Sequence, residues 1–150
     1  MSLAQTPPWT PRPARRDDGA VIAVHRYAGA GTAQDLLAYE RWVAPRIEQG
    51  GYAGVLAEVD GVVVAGAGAV MLDWGPTRGE PIGVRARIVN VFTAPAWRRR
   101  GLARSLVQAL ISQCQARQIQ VFSLAATPDS AALYAALGFM RYPQEMILRG

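Results

Sequence analysis

The chain has no lysine, one cysteine, one histidine and no long apolar run. The single cysteine and the missing apolar run each exclude a class of protein. With Cys114 alone, it can form no internal disulfide and no cysteine-based metal cluster, so we predict no metal. It lacks a run of about 18 apolar residues, so no membrane span is predicted. Its first residues lack the charged-then-apolar layout of a signal peptide. We therefore expect a cytoplasmic protein that does not interact with a membrane.

The positive charge of the chain comes from arginine alone. Sixteen arginines against 11 acidic residues give a net charge of +5 and a pI of about 10.1. Such an excess is typical of proteins that bind nucleic acid, an anionic surface or an anionic small molecule. The guanidinium fork matches phosphate oxygens in pairs, which favours a phosphate-bearing ligand. A GC-rich genome would equally raise the arginine content, so scattered arginines carry no prediction by themselves.

The pattern of apolar and turn-forming residues predicts one domain of alternating strands and helices. Residues 1–20, rich in proline and charge, are predicted to be a disordered tail, and residues 21–150 to form the domain. Asp60-Gly61 is the predicted hairpin turn. The predicted helices span 32–48, which Thr32 caps and Pro45 kinks or splits, 102–117 and 128–137. The predicted strands span 21–27, 52–59, 62–72, 87–93, 119–125 and, as one or two strands, 139–148.

This order of elements predicts an α/β (α+β) single-domain fold. The hairpin makes the middle strands antiparallel, whereas the strand–helix–strand unit of residues 87–125 predicts a parallel pair. We expect a mixed, mostly antiparallel sheet with helices on both faces. Gly66 and Gly68 resemble the start of a dinucleotide fingerprint, but a strand follows them, so we predict that they let a neighbouring element approach. Cys114 lies on an apolar helix stripe and is predicted to be buried.

The most informative segment is 91–103, Val-Phe-Thr-Ala-Pro-Ala-Trp-Arg-Arg-Arg-Gly-Leu-Ala. It is predicted to be a strand, a turn, a basic loop and the start of a helix. The first turn of a helix has unpartnered N–H groups and a positive dipole end, which together attract a phosphate. Gly101 lets the backbone approach a ligand, and the arginines before it add charge. The segment therefore predicts a site for a diphosphate-bearing ligand.

Two motifs resemble those of the GCN5-related N-acetyltransferase (GNAT) family. Arg98-x-x-Gly101-x-Ala103 matches the family's R/Q-x-x-G-x-G/A motif, and residues 133–139, Leu-Tyr-Ala-Ala-Leu-Gly-Phe, resemble its L-Y-x-x-L-G-F. The coarse order of elements agrees over about residues 21–150. The resemblance implies a GNAT-like fold and an enzyme that transfers an acetyl group from acetyl-coenzyme A, its cosubstrate, to a primary amine by direct attack in a ternary complex.

The resemblance also implies roles for single residues. Tyr134 would be the general acid that protonates the departing thiolate. The backbone amide of Val91 would polarise the acetyl carbonyl. Val91 and Thr93 would pair with the pantetheine arm as an added strand would. The full cofactor-binding set that it implies is Val91, Phe92, Thr93, Arg98, Arg99, Arg100, Gly101, Leu102, Ala103, Ser105, Thr127 and Tyr134.

The sequence departs from the family pattern at two positions. Thr127 stands where many members have an asparagine, which puts a pantetheine contact in doubt, and Arg87 stands where some have a catalytic glutamate. Glu145, near the last strands, is the base that we select, although a chain of water molecules could also take the proton. The other candidate bases are Glu40, Asp73, Glu80 and His25, each of which has a structural or surface interpretation too.

The acceptor stays unidentified: a small-molecule amine and a peptide amine both fit, and acetyl and longer acyl donors are not distinguished. Loops 28–52 and 73–85 are expected to shape its pocket, with Trp42, Tyr52 and Trp74 as candidate lining. The alternative function is a non-catalytic acyl-CoA-binding or regulatory module on the same fold. We do not predict nucleic-acid binding, because no aromatic residues interleave with the basic run. Formation of a homodimer is neither predicted nor excluded by the sequence.

Overall fold

The fold was obtained as a computed structural model, which describes residues 8–150. Five strands form one sheet in the order β1-β2-β3-β4-β5. The strands are β1 (Thr10–Pro13), β2 (Tyr52–Val59), β3 (Val62–Asp73), β4 (Val84–Thr93) and β5 (Phe122–Ser123). The helices are α1 (Gly19–Tyr27), α2 (Ala33–Gln49), α3 (Leu102–Gln115) and α4 (Ala131–Ala136), with short 3-10 turns at Arg16–Asp18 and Pro95–Trp97.

The sheet is mixed and mostly antiparallel, as predicted. The first four strands pair antiparallel in sequence order, and β4 and β5 pair in parallel. Helix α3 connects that parallel pair. Asp60 and Gly61, with φ of 50° and 77°, form the predicted hairpin turn between β2 and β3. The α/β single-domain fold class is confirmed.

Alternation along β2 divides the core into two layers. Tyr52 and Leu56 pack with residues of α1 and α2 on one face of the sheet. Ala53, Val55 and Ala57 pack on the other face with the buried stripe of α3. Successive side chains of a strand point to opposite faces, so one strand serves both layers. Helices therefore cover both faces, and Cys114 is buried in the α3 layer, as predicted.

The prediction of a disordered tail is wrong for residues 10–20. Residues 1–7 of the predicted tail lie outside the described part of the chain. Thr10–Pro13 pair with β2 as its outer neighbour, and the 3-10 turn and the start of α1 follow. Arg12 fixes this segment, because its guanidinium donates to Asp18 at 2.7 and 2.8 Å and to Glu58 at 2.6 Å. A proline-rich composition thus forms an edge strand where charged side chains hold it to the sheet.

Residues 21–27, predicted to be the first strand, instead lie in α1. The β-branched content of Val21 and Ile22 favoured a strand, but burial at Gly19, Ile22 and Ala23 follows helical spacing. Gly19 lets α1 approach α2 closely, because a Cβ there would be 3.3 Å from Ala44 Cβ, which is tighter than ordinary contact. Packing against α2 thus overrides local propensity.

The end of the chain contains less strand than predicted. The strand expected over 119–125 is reduced to Phe122–Ser123, and residues 139–148 form no strand. Met140, Met146 and Leu148 are at least 90% exposed. Pro143 has no N–H and lies in a turn, which interrupts the apolar pattern. An apolar pattern predicts a face to bury, but a strand also needs a neighbour that supplies hydrogen bonds.

The predicted helices are present with small shifts of their ends. Thr32 caps α2: its hydroxyl accepts from the Asp35 amide at 3.1 Å, and its own amide donates to the Asp35 carboxylate at 3.0 Å. The helix is assigned without a break through Pro45, so the expected split does not occur. Among the described residues, no helix is long and apolar enough to cross a membrane.

Candidate functional site

A cleft opens where β4 and β5 separate. The two strands pair only at Ala86 with Phe122 and at Arg87 with Ser123. Beyond Arg87, β4 continues to Thr93, and no strand of residues 8–150 pairs with it on that side. The resulting cleft has a volume of about 700 Å³ and runs from α1 along β4 to the start of α3, with α4 at its other wall. An unpaired strand flank has free N–H and C=O groups that an extended ligand can use.

A bulge at Asn90 shapes the strand that lines the cleft. Pairing passes from Gly68–Val89 to Gly66–Phe92, so Asn90 and Val91 together oppose Ala67. Asn90 has a φ of 58°, a left-handed conformation that asparagine tolerates. Its Nδ2 donates to the hydroxyls of Tyr39 and Tyr52, each at 2.9 Å. Sequence analysis missed this residue, although a lone asparagine within an apolar strand was a signal of it.

The bulge changes which side chains face each layer. Before it, Ala86 and Ile88 face the α3 layer, and after it Val91 does. Phe92 consequently faces α1, where its ring stacks on His25 at 4.7 Å between centroids. The bulge thus shifts by one residue the alternation of side chains between the two faces of the sheet.

The basic loop and the start of α3 form one end of the cleft. Gly101 has a φ of 78° and precedes the first turn of the helix, whose amides have no partner within the helix. A Cβ at Gly101 would meet nothing within 4 Å, so the glycine serves the backbone conformation. Arg98 Nε donates to Thr93 O at 3.2 Å, which ties the loop to β4. Arg99 and Arg104 line the same end.

Most of the residues that the sequence analysis selected as site residues line the cleft. Those that line it are Val91, Phe92, Thr93, Arg98, Arg99, Gly101, Leu102, Ala103, Thr127 and Tyr134. Three others do not line it. Arg100 lies over the Trp97 ring at 4.6 Å, Ser105 is half-buried in α3, and Glu145 is exposed near the end of the chain. Arg26, Arg104 and Leu124 line it without having been predicted.

Tyr134 lies in the wall formed by α4. It is 7% exposed and packs edge-on against Phe139, with the ring centroids 5.9 Å apart. Burial raises the pKa of its phenol, so the hydroxyl keeps its proton at neutral pH. The hydroxyls of Thr127 and Ser130 form a hydrogen bond of 2.9 Å at the start of α4, and both residues lie in the same wall. A protonated phenol in a cleft can give its proton to a strong base that forms nearby.

His25 is a buried imidazole in the part of the cleft wall that α1 forms. It is 6% exposed, and burial lowers its pKa to about 4, so it is neutral at physiological pH. It lies against Gly66, where a Cβ would be 2.8 Å from its Nδ1. Gly68 makes similar room for the ring of Tyr52. The prediction that these glycines admit a neighbouring element is confirmed, while the predicted strand setting of His25 is wrong.

The carboxylates proposed as bases lie away from the cleft. Glu40 packs beside Gly19, and Glu80 is 3.6 Å from Arg85 Nε. Asp73 is exposed at the end of β3. The aromatic residues suggested for the acceptor pocket do not line the cleft either: Tyr52 is buried behind Asn90, and Arg46 and Arg85 cover Trp42 and Trp74.

Comparison with known proteins agrees with this geometry. A family model described as the acetyltransferase (GNAT) family matches residues 16–139, which confirms the resemblance. A GCN5-related N-acetyltransferase from Ralstonia eutropha JMP134 is 27% identical, with a TM-score of 0.80 over 94% of this chain and 98% of the other. No curated protein matches the chain.

Two further solved structures share the fold at lower identity. A predicted acetyltransferase with acetyl-CoA from Clostridium acetobutylicum is 20% identical, with a TM-score of 0.85 over 94% of this chain and 96% of that one. Glucosamine-6-phosphate N-acetyltransferase from Arabidopsis thaliana is 14% identical, with a TM-score of 0.75 over 94% and 97% of the two chains. At these identities the likeness concerns the fold alone.

Proposed function

The chain belongs to the GNAT family of acetyltransferases and is an enzyme of the acyltransferase class, and from this premise we propose that it moves an acetyl group from acetyl-coenzyme A to a primary amine. The transfer is direct, with donor and acceptor bound together. The observation that carries the proposal is the cleft that opens beyond Arg87, since it joins an unpaired strand flank to a helix N-terminus. Acetyl-CoA has an extended arm and a diphosphate, which match these two features.

The start of α3 and its loop bind the diphosphate. The free amides of the first helical turn and the left-handed Gly101 favour an anion there, and Arg99 and Arg104 add positive charge. The pantetheine arm extends along Val91 and Thr93, which pair with no strand on the β5 side in the described part of the chain, where the Thr93 carbonyl already accepts from Arg98 Nε. Arg100 and Ser105 do not line the cleft, so we assign them no contact with the diphosphate.

The transfer exchanges a C–S bond for a C–N bond. The nitrogen lone pair of the neutral acceptor amine attacks the thioester carbon, and the backbone amide of Val91 stabilises the negative charge on the carbonyl oxygen. The C–S bond then breaks, and Tyr134 gives its proton to the leaving thiolate. The proton lost by the amine passes to water, since no carboxylate lines the cleft and the buried His25, with a pKa of about 4, is too weak a base. A later proton uptake from solvent restores the phenol.

Charge at Gly101 tests the diphosphate site. Asparagine and aspartate have the same shape, and both tolerate a positive φ, so Gly101→Asn is a matched control for Gly101→Asp. The aspartate places a negative charge at the anion site. We expect Gly101→Asp to weaken coenzyme A binding at least about tenfold more than Gly101→Asn, measured by calorimetry. Equal affinities in the two folded variants would place the diphosphate elsewhere.

Tyr134→Phe tests the chemical step. The change removes one hydroxyl and keeps the ring that packs on Phe139. General acid catalysis contributes about a hundredfold to ten-thousandfold, so kcat should fall by at least about tenfold while acetyl-CoA affinity stays constant. Release of free thiol measures turnover, and thermal shift measures binding. Acetyl-CoA binding without turnover of any amine would instead favour the non-catalytic acyl-CoA-binding module.

A further inference from the structure

The charge of the cleft limits which acceptors it can hold. Four arginines line it, and none of the chain's 11 acidic residues, all within the described part, does so. A polycationic amine needs carboxylates to replace the water that its charges lose. The cleft therefore disfavours a polycation and favours a ligand with negative charge. This argument rests on the proposed function.

Arg26 is the one arginine of the cleft that belongs neither to the basic loop nor to α3. Arg98, Arg99 and Arg104 surround the N-terminus of α3, where the diphosphate is proposed to bind. Arg26 belongs to α1 and follows the buried His25. The cofactor thus accounts for three of the four arginines and leaves Arg26 for another negatively charged group.

The position of Arg26 is set by contacts that lead to the proposed acetyl site. Its guanidinium carbon lies 4.7 Å from the centroid of the Tyr39 ring. The Tyr39 hydroxyl accepts from Asn90 at 2.9 Å, and Asn90 precedes Val91 in the chain. Arg26 therefore lies one aromatic ring away from the strand segment that is proposed to bind the acetyl carbonyl.

The guanidinium of Arg26 has no carboxylate partner in the described part of the chain. The four ion pairs found there involve Arg12, Arg16 and Arg85. Stacking on Tyr39 occupies a face of the guanidinium plane, whereas its N–H groups point along the edge of that plane. Two parallel N–H groups can bind two oxygens of one carboxylate or phosphate.

We propose that the acceptor is a primary amine that also carries a carboxylate or phosphate, and that Arg26 binds this anionic group while the amine faces the acetyl site. Amino acids and phosphorylated amino sugars have this chemistry. Arg26 is then a specificity-determining residue, and its loss should affect anionic acceptors selectively.

The first experiment compares acceptors with the intact enzyme. Each anionic amine is paired with its neutral counterpart: amino acids with their carboxamides, and glucosamine 6-phosphate with glucosamine. Spermidine and kanamycin represent polycations. With rates corrected for the fraction of free amine, we expect kcat/KM for the best anionic acceptor to exceed that of its neutral counterpart at least tenfold. Preference for a neutral or polycationic amine overturns the proposal, as does a panel in which no anionic amine is acetylated.

The second experiment changes the arginine. Arg26→Gln should lower kcat/KM at least tenfold for the best anionic acceptor and leave its neutral counterpart within about twofold. Arg26→Lys should restore part of the loss, because it keeps the charge but not the paired N–H groups. Arg41→Gln, an exposed change on α2 with the same loss of charge, is the control. Equal losses for both acceptors, or an equal effect of Arg41→Gln, overturn the role of Arg26.

A binding measurement separates this proposal from the proposed function. Acetyl-CoA should raise the melting temperature of the wild type and of Arg26→Gln equally, because the proposed diphosphate site consists of the basic loop and the start of α3, to which Arg26 does not belong. If acetyl-CoA does not stabilise the wild type, the proposed function itself fails. If acetyl-CoA stabilises both proteins but cationic amines are preferred, only the acceptor class and the role of Arg26 are wrong.

Discussion

Replacing Asn90 should destabilise the protein through its hydrogen bonds to two tyrosines. Asn90→Gly keeps the left-handed conformation but leaves the hydroxyl of Tyr52, a residue only 3% exposed, without its donor. An unpaired buried hydroxyl costs about 1–3 kcal/mol, so we expect a loss of about 2 kcal/mol. For a chain of this length that corresponds to a fall in Tm of about 4–8 °C. Asn90→Ala should lose about 1 kcal/mol more, because a Cβ disfavours a φ of 58°.

A double-mutant cycle isolates the hydrogen bond itself. Tyr52→Phe removes the acceptor hydroxyl and leaves the bond between Asn90 and Tyr39 in place. Urea unfolding of the two single variants and the double variant gives the coupling free energy. Contacting residues typically couple by about 0.5–3 kcal/mol, and we expect a value in this range. Strict additivity, or an Asn90→Gly variant within about 0.5 kcal/mol of the wild type, would refute the reasoning.

Three further changes test the packing and the helix start. His25 binds a proton more readily in the unfolded chain, with an ordinary pKa of about 6.5, than in the folded one, so falling pH destabilises the wild type by up to about 3 kcal/mol between pH 6.5 and 4. His25→Gln should lack this loss of stability at falling pH. Stability–pH curves that run parallel for the two proteins would contradict the assignment of that loss to His25. Gly68→Ala would place a Cβ against the hydroxyl and ring of Tyr52 and should cost about 1–3 kcal/mol, less in a Tyr52→Leu background that removes both groups; an equal cost in both backgrounds would rule out the clash. Thr32→Ala should lower the free energy of unfolding by about 1 kcal/mol and Thr32→Ser by less, and equal urea midpoints would show that the cap is dispensable.

Features encoded by neighbouring residues could be predicted from the sequence. The Thr32 cap, the Asp60-Gly61 turn and the basic loop that leads into α3 each depend on a few adjacent positions. The family motifs are of the same kind, since each is read within a single short segment. Local chemistry was therefore sufficient for the fold class and for the basic end of the cleft at the start of α3.

Features that depend on distant partners could not be predicted. The side chain of Asn90 at the bulge donates to the hydroxyls of Tyr39 and Tyr52, which lie 51 and 38 residues away in the chain. Residues 21–27 become a helix because α2 packs against them, not because of their own propensity. Glu145 was selected from its position in the sequence, whereas the structure leaves it exposed and outside the cleft. The part of the cleft beside α1 is built from such long-range contacts.

Prolines at one edge of the sheet hinder its pairing with a strand of another molecule. Strand β1 has proline at Pro11 and Pro13, so half of its four residues have no N–H to offer to another strand. Side chains hold it in place, through the ion pairs of Arg12 with Asp18 and Glu58. A version of the protein shortened to the family-matched region, which begins at residue 16, would lose this strand. The flank of β2, free of proline, would then be open to a second copy, and such a protein should aggregate more readily.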